Sequence, residues 1–255
     1  MRRNLMVIYV MWLRDIKRFV RAPSRIIGSL VIPFLLLISL GLGFGKTAIP
    51  GLSGSTGYLG FLVPGMAAMT ILFTGMFSGL SVLWDRQYGF LKEIMVAPVS
   101  RVSIVIGRIV SGATTGVIQT YLLIFISILI GFRLPPILPL FVSLIFMILM
   151  AFIFTSIGLI FASRMKDEQG FGLIMNFIVF PLLFLSGAFV PLNNFPLWVK
   201  IISYANPMTY GVEGLRHSLL GFSMISLPVC LTVMGSIAVL LIIIGAYFFE
   251  TSEVV

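Results

Sequence analysis

Six long apolar stretches, none of which contains a charged residue, alternate with short polar segments along this chain of 255 residues. They cover residues 26–44, 58–84, 109–132, 138–163, 171–190 and 227–249. The hydrocarbon core of a bilayer is about 30 Å thick, and roughly 20 helical residues are needed to cross it. A soluble protein that was 59% hydrophobic and only 10% charged would have too little polar surface. The sequence therefore predicts an all-α integral membrane protein with six transmembrane helices.

The basic residues are distributed unevenly between the two sides of the predicted bundle. If the amino terminus is cytoplasmic, only four of the 17 Lys and Arg residues lie outside: Lys46, Arg133, Lys200 and Arg216. Because cytoplasmic loops are enriched in Lys and Arg, this bias predicts a multi-pass protein of the cytoplasmic membrane with both termini in the cytoplasm. The net charge of +9 is explained by this topology and by anionic membrane lipid, and it requires no nucleic acid.

The segment 1–25, which precedes the first span, has an amphipathic pattern. Its apolar residues recur at helical spacing, while basic residues fall between them in its second half. This pattern predicts an interfacial helix in the headgroup region of the membrane, ended by Pro23. A positive topogenic signal with no further role is the alternative, but such a signal would not need the apolar stripe. The residues assigned to membrane contact are Trp12, Arg14, Lys17, Arg18 and Arg21.

Few residues are available for catalysis or metal binding. With one cysteine, Cys230, one histidine, His217, and eight acidic residues, the chain is expected to form no disulfide, no metal site and no paired-carboxylate active site. Residues 45–47 (Gly-Lys-Thr) resemble the end of a phosphate-binding loop, but Leu40 stands where that motif needs its first glycine. The chain is not expected to be an enzyme, so energy for uphill transport would have to come from a partner.

The predicted spans contain neutral polar residues but no Asp, Glu, Lys or Arg. Ion-coupled carriers usually need an ionisable group at membrane depth, so this composition disfavours a secondary transporter. Gln119 and Asn176 are the candidates for lining a pathway, although most such residues form hydrogen bonds between helices instead. Glycines four residues apart, such as Gly75 and Gly79, would allow close packing of helix backbones.

Residues 84–101, between the second and third predicted spans, mix charged and large apolar side chains. Asp85, Arg86 and Glu93 alternate with aromatic and aliphatic residues, so a short helix here would have one charged and one apolar side, ended by Pro98. A solvated loop is the alternative, but such loops rarely carry this many large apolar residues. The pattern predicts a cytoplasmic coupling segment that docks against a protein.

Residues 191–221, between the fifth and sixth predicted spans, contain three prolines and several aromatic residues. The prolines separate two apolar segments, 197–204 and 208–220, which are too short to cross a membrane. We expect a pair of re-entrant half-helices on the extracellular side, which are tolerated only where protein or water satisfies the broken backbone. Glu213 and Arg216 lie one turn apart on the second half-helix and are expected to pair, in either a structural or a gating role.

Taken together, these motifs resemble the permease subunits of type-2 ABC exporters, particularly the daunorubicin-resistance-like multidrug branch. The resemblance covers almost the whole chain as a single transmembrane domain, 1–255, with a six-span bundle at 26–249 and a cytoplasmic tail at 250–255. Gln87 and Leu91 depart from the family pattern, in which Glu and Thr are common at these positions. The motifs that carry the resemblance are Asp85, Arg86, Gly89, Glu93, residues 98–101 (Pro-Val-Ser-Arg), residues 184–187 (Phe-Leu-Ser-Gly), Pro191, Pro196, Asn206, Pro207, Glu213, Leu215 and Arg216.

The resemblance implies a half-transporter that pairs with a second permease, commonly a copy of itself, and with two cytoplasmic ATP-binding subunits. Those subunits would hold ATP and Mg²⁺, and this chain itself would bind no cofactor. The pathway would lie between two sets of six helices, lined by the second and fifth spans of each copy. The residues implied in coupling to the ATPase are Asp85, Arg86, Gly89, Glu93 and Arg101. The candidates for the pathway or external gate are Gln119, Asn176, Phe184, Phe189, Asn206, Glu213 and Arg216.

The implied function is ATP-driven export of amphipathic drugs or lipid-like compounds from the cell. Export of a lipid-linked polysaccharide or glycolipid within the same superfamily is the first alternative. A secondary transporter would work without an ATPase, and a membrane scaffold would keep a stable partner but show no ATP-dependent flux.

Overall fold

The computed structural model describes residues 2–44, 57–89, 100–165 and 167–251. Within these ranges every regular element is a helix, as the sequence predicts. In chain order the helices are α1 (Arg2–Val20), α2 (Pro23–Gly43), α3 (Gly57–Ser78), α4 (Leu80–Gln87), α5 (Arg101–Leu129), α6 (Ile137–Arg164), α7 (Glu168–Phe184), a 3₁₀ turn (Leu192–Asn194), α8 (Leu197–Ala205), α9 (Pro207–Leu220) and α10 (Leu227–Thr251).

Five helical stretches in the described ranges are long and apolar enough to cross a membrane: Ile26–Gly43, Gly57–Gln87, Arg101–Leu129, Ile137–Arg164 and Leu227–Phe248. They coincide with five of the six predicted spans. The remaining prediction, residues 171–190, falls on α7, which has 17 residues and is therefore about 25 Å long. α7 ends at Phe184 because the chain then turns, and Gly187 adopts a φ of +79°, a left-handed conformation that favours glycine.

α5 begins about two turns earlier than the predicted span at residues 109–132. It starts at Arg101 because the side chain of Ser100 caps it, accepting a hydrogen bond from the backbone N–H of Ser103 at 3.3 Å. Arg108, which the sequence places in a cytoplasmic segment beside the membrane, consequently lies within the helix and is only 5% exposed.

α3 occupies the centre of the bundle and contacts α2, α5, α6, α7 and α9. Residues 60–72 are all buried. α4 continues α3 after a single interruption at Gly79. A Cβ atom on Gly79 would overlap the backbone carbonyl oxygen of Gly158, and a Cβ on Gly158 would overlap that of Met76. The backbones of α3 and α6 therefore touch, which confirms the close packing predicted from the glycine spacing.

The two short helices α8 and α9 follow the predicted segments 197–204 and 208–220 closely. Asn206 caps α9, since its Oδ1 accepts a hydrogen bond from the backbone N–H of Met208 at 2.9 Å, and Pro207 occupies the first helical position. The Nδ2 of Asn206 donates to the carbonyl oxygen of Leu182 at 2.7 Å. This predicted gate residue therefore fixes how α9 is held against the end of α7.

α1 is amphipathic and packs lengthwise against α5. Met11 is buried, and a Cβ on Gly107 of α5 would approach the Cβ of Met11 to 3.0 Å. The indole Nε1 of Trp12 donates to Thr114 Oγ1 at 3.0 Å. Leu5 and Tyr9 are exposed on the opposite side of α1. Trp12 thus anchors α1 to the bundle, while other apolar residues remain available to the membrane interface.

Candidate functional site

The ion pairs of the described residues concentrate where α1, α4 and α5 meet. Four residues form this charged junction: Arg14 and Asp15 from α1, Asp85 from α4 and Arg108 from α5. Arg14 Nη2 lies 2.9 Å from Asp85 Oδ2 and 2.8 Å from Asp15 Oδ1. Arg108 pairs with Asp85 through Nη2, and its Nη1 lies 3.7 Å from Asp15 Oδ2. The junction therefore joins three helices that are distant in sequence.

Alternating charge makes this arrangement stable in a largely buried position. An isolated buried charge is costly, whereas two guanidinium groups between two carboxylates compensate each other. Burial disfavours the charge on Arg14, but Asp15 and Asp85 together outweigh burial and raise the pKa of its guanidinium above the ordinary value. Arg108 Nη1 also donates to Ser81 Oγ at 2.8 Å, which adds a fixed contact to α4.

Arg86, next to Asp85, points in a different direction and holds α4 to the end of α6. Its guanidinium donates to the carbonyl oxygens of Ser163 and Met165, each at 3.1 Å. The last carbonyl groups of a helix have no partner within the helix, and a guanidinium satisfies them well. The adjacent pair Asp85 and Arg86 thus connects α4 to α1 and α5 on one side and to α6 on the other.

The other residues predicted for ATPase coupling and membrane contact are not part of the charged junction. Gly89 follows α4 with a φ of +76°, which suits a residue that turns the chain. Arg101 is exposed at the start of α5. The guanidinium of Arg18 lies 5.3 Å from the centroid of the Trp84 ring. Lys17 on α1 and Arg21, directly after α1, are exposed. Glu93 lies outside the described residues.

Sequence reasoning missed two members of the charged junction, Asp15 and Arg108. Asp15 is the one acidic residue in a basic segment, and its isolation there was the available signal. Arg108 precedes the third apolar stretch directly, so continuing the helical pattern backwards by one residue would have included it. Neither signal identifies the partner, because the pairing depends on how the helices pack.

Gln119 joins three helices near the middle of the bundle. Its Oε1 accepts a hydrogen bond from Thr74 Oγ1 of α3, and its Nε2 donates to Ser29 Oγ of α2 at 2.8 Å. Gln119 is 3% exposed. This is the interhelical hydrogen bonding that we expect as the commoner role of such residues. Asn176, by contrast, is exposed on α7 between the large apolar side chains of Leu173 and Phe177.

A second charged site, at the other end of α3, contains the predicted pair Glu213 and Arg216. The two side chains pair on α9 and are fully buried, which confirms the predicted pairing. Arg216 Nη2 donates to the carbonyl oxygen of Gly187 at 2.9 Å, and the guanidinium carbon lies 4.0 Å from the centroid of Phe61. The backbone N–H of Met224 donates to Glu213. The pair therefore holds together α3, α9, the turn after α7 and the segment before α10.

Aromatic residues surround the same end of the bundle. The Tyr58 hydroxyl donates to the carbonyl oxygen of Phe189 at 3.1 Å, which links the start of α3 to the turn after α7. The rings of Phe184 and Phe189 lie 5.4 Å apart, and Phe184 also stacks with Phe180 at 6.2 Å. The predicted gate residues are thus brought together here, whereas Gln119 and Asn176 are not part of this cluster.

The fold and its two charged sites define a membrane permease, in which one central helical stretch, Gly57–Gln87, runs between the charged junction and the Glu213–Arg216 pair. Residues 6–220 match the ABC-2 type transporter family, and the chain belongs to that family. It is therefore a transmembrane permease of the ABC transporter class, and permeases of this family work with ATP-binding subunits.

Named relatives support this assignment over most of the chain. A protein of Cyanophora paradoxa named as a transport permease is 32% identical over 197 residues, which cover 77% of this chain and 68% of that protein. The daunorubicin resistance ABC transporter permease protein of Streptomyces coeruleorubidus is 25% identical over 234 residues, 89% of this chain and 80% of that one. An inner membrane transport permease of Escherichia coli is 27% identical over 217 residues, 83% of this chain and 82% of the relative.

Proposed function

We propose that this permease is one half of an ATP-driven exporter of amphipathic compounds, assembled from two copies of the chain and two cytoplasmic ATP-binding subunits. In this arrangement the charged junction faces the cytoplasm together with both termini. α7 serves as the fifth of six spans, and α8 and α9 dip into the outer leaflet as re-entrant half-helices. The excess of Lys and Arg at the end that carries α1 supports this orientation.

The single observation that carries the proposal is the charged junction between α1, α4 and α5. Because α4 continues α3 after Gly79, a displacement of α1 or of the segment that follows α4 is transmitted to the central helix. That helix reaches the Glu213–Arg216 pair through Phe61. Closure of the ATP-binding subunits would thus move the external gate by tilting α3. Asp85, Arg86, Gly89, Glu93 and Arg101 are the proposed coupling residues.

The exposed face of α7 supports a pathway between two copies. Phe177 is 82% exposed, and Asn176 is exposed beside it. A primary amide that faces lipid has no hydrogen-bond partner, whereas one that faces a second copy or a hydrated pathway does. α7 and α3 are therefore proposed to line the pathway of each copy. The second permease copy is a copy of this chain, which makes the assembly a homodimer.

The proposed cargo is a drug or lipid-like compound. The relative from Streptomyces coeruleorubidus is named for daunorubicin resistance, and daunorubicin is amphipathic. The five described spans carry charged residues only within about two turns of a helix end, and an apolar or amphipathic cargo suits such a pathway better than a small ion does.

The test uses proteoliposomes that contain the permease together with its ATP-binding subunit, with daunorubicin flux and ATP hydrolysis measured in the same preparation. Asp85→Asn removes one carboxylate from the charged junction and leaves two guanidinium groups to share Asp15. We expect the complex to assemble and hydrolyse ATP, while export per ATP hydrolysed falls at least about tenfold, equivalent to about 1.4 kcal/mol of lost coupling.

Asp167→Asn is the matched control. Asp167 caps α7 by accepting from the N–H of Gly170 at 2.8 Å, and asparagine is an equally good capping residue. This variant should export normally. Equal export per ATP by Asp85→Asn and the wild type would contradict the coupling role, and daunorubicin flux without the ATP-binding subunit would indicate a secondary transporter.

A further inference from the structure

Two cavities inside one copy of the permease meet at Thr74 and Gln119. The first, of about 90 Å³, lies beside the charged junction, and most of the residues in its wall are polar or charged. The second, of about 230 Å³, lies between α2 and α3 and has mainly apolar walls. Thr74 and Gln119, which are hydrogen-bonded to each other, belong to the walls of both. The two cavities therefore adjoin each other at this pair of side chains.

The polar cavity contains two buried groups that have no hydrogen-bond partner within the described part of the protein. These are Arg108 Nε and Thr155 Oγ1, on residues that are 5% and 1% exposed. Buried polar groups are nearly always hydrogen-bonded, and leaving one unpaired is unfavourable. Both residues line a cavity far larger than the roughly 10–15 Å³ that one water molecule requires. Their geometry indicates a site for a polar guest.

The other hydroxyl groups of the polar cavity present oxygen acceptors. Ser78 and Thr115 each donate to a backbone carbonyl of their own helix, so the lone pairs of their oxygens remain available. Thr155 can donate or accept, and Arg108 Nε can only donate. A guest that carries both donors and acceptors satisfies these walls, and a hydroxyl group is the simplest group of that kind.

The charges beside the polar cavity favour an uncharged guest. Asp15 and Arg108, both in its wall, are already paired within the charged junction. Arg18 is the third charged residue in the wall, and its guanidinium lies over the Trp84 ring. A cationic head group would lie beside Arg18 and Arg108, and an anionic one would compete with Asp15 for Arg108, so a charged head group disturbs these contacts. A neutral head group with hydroxyls requires no such rearrangement.

The apolar cavity provides room for a hydrocarbon tail. Its walls include Pro33, Met69 and Phe73, and Ile32 at its edge is 60% exposed on the outer surface of α2. A Cβ atom added to Gly28, also in its wall, would have no neighbour within 4 Å. Gly28 and Ile32 therefore place one wall of the cavity at the outer surface of α2.

We propose that each copy of the permease binds a single-chain amphiphile with a small, neutral, hydroxylated head group, held in these two cavities before transport. The head lies in the polar cavity and bonds to Thr155 and Arg108 Nε, and the tail lies between α2 and α3. The binding site itself does not depend on the proposed export function. Only the role of the amphiphile as cargo rests on that function. The site belongs to one chain and is separate from a pathway between two copies.

The test uses a monoacylglycerol with a photoreactive diazirine in its acyl chain, added to the permease in nanodiscs without ATP or the ATP-binding subunit. After illumination, mass spectrometry locates and quantifies the label. We expect saturable labelling at Met69 or Phe73. Thr155→Val keeps the shape of the side chain and removes a hydroxyl that has no partner in the described protein, so folding should be unchanged while affinity falls about fivefold. Thr155→Ser should restore binding.

Ser156→Ala is the matched control, because Ser156 is buried on the same helix with an equally unpaired hydroxyl but lines neither cavity. It should leave labelling unchanged. Gly28→Leu should fill the apolar cavity and abolish saturable labelling, whereas Gly43→Leu, also in open space on α2, should not. Melting temperatures of all variants establish that they are folded.

Non-saturable labelling, or saturable labelling that is insensitive to both Thr155→Val and Gly28→Leu, overturns the site. Because binding is measured without ATP, its failure leaves the proposed export function untouched. Conversely, loss of ATP-dependent export with intact labelling contradicts the export function and keeps the binding site.

Discussion

The guanidinium carbon of Arg216 lies 4.0 Å from the centroid of the Phe61 ring, at a point where neither side chain is accessible to solvent. A cation over an aromatic face is favourable, more so when both groups are desolvated. Phe61 belongs to the central helix, and Arg216 to a short helix that begins with a proline. This contact is therefore one of those that connect α9 to the core, and the ion pair with Glu213 compensates the buried charge of Arg216.

Removing the charge of Glu213 alone should destabilise the protein strongly. Glu213→Gln leaves Arg216 buried without a counter-charge, which typically costs about 3–5 kcal/mol. The double variant Glu213→Gln/Arg216→Met removes both charges and should recover most of that loss. Thermal unfolding of the purified permease in detergent measures both effects.

Arg133→Met, which removes an exposed arginine after α5, is the control and should change the melting temperature little. Equal destabilisation by Glu213→Gln and Arg133→Met would show that the buried pair is not important for stability.

The contact between Gly158 and the backbone of Met76 gives a second prediction. A Cβ on Gly158 would overlap the carbonyl oxygen of Met76, and backbone cannot move aside as a flexible side chain can. Gly158→Ala should therefore separate α3 from α6 and lower the yield of folded protein or its melting temperature markedly. Gly172→Ala on α7 is the matched control, since nothing lies within 4 Å of its Cβ position, and alanine is the better helix former by about 1 kcal/mol. Similar melting temperatures for the two variants would contradict the close packing.

Local sequence rules predicted the elements of this fold well. Pro207 and Asn206 indicated where α9 begins, and the uncharged stretches indicated the spans, because both signals are contained in neighbouring residues. The end of α7 at Phe184 was missed, since residues 185–190 are apolar but include a glycine whose conformation ends the helix. Apolar composition measures compatibility with lipid, and it does not distinguish a helix from a buried turn.

The candidate site was only partly predictable, for a different reason. The pair Glu213–Arg216 could be predicted because its members lie one turn apart on one helix. Arg108 and Asp85 belong to different helices, and only the packing of α4 against α5 brings them together. In the sequence, Thr155 is likewise an ordinary residue of an apolar helix. The binding role proposed for its hydroxyl depends on the cavity beside it.

The last prediction concerns the face of α7 that is proposed to meet a second copy. In a chain whose single cysteine is replaced by Cys230→Ala, Phe177→Cys places one thiol on that face, next to Asn176. If α7 of one copy lies near α7 of the other, a short bis-maleimide should link two copies and give a covalent dimer on denaturing gels.

Ile243→Cys, which is also exposed but lies on α10, is the control and should give little dimer. ATP and the ATP-binding subunit should change the yield of the Phe177→Cys dimer, because tilting of α3 also moves α7 through their shared contact. A dimer that forms equally at both positions would indicate random collision in the membrane, and its absence at Phe177→Cys would exclude α7 as the face between copies.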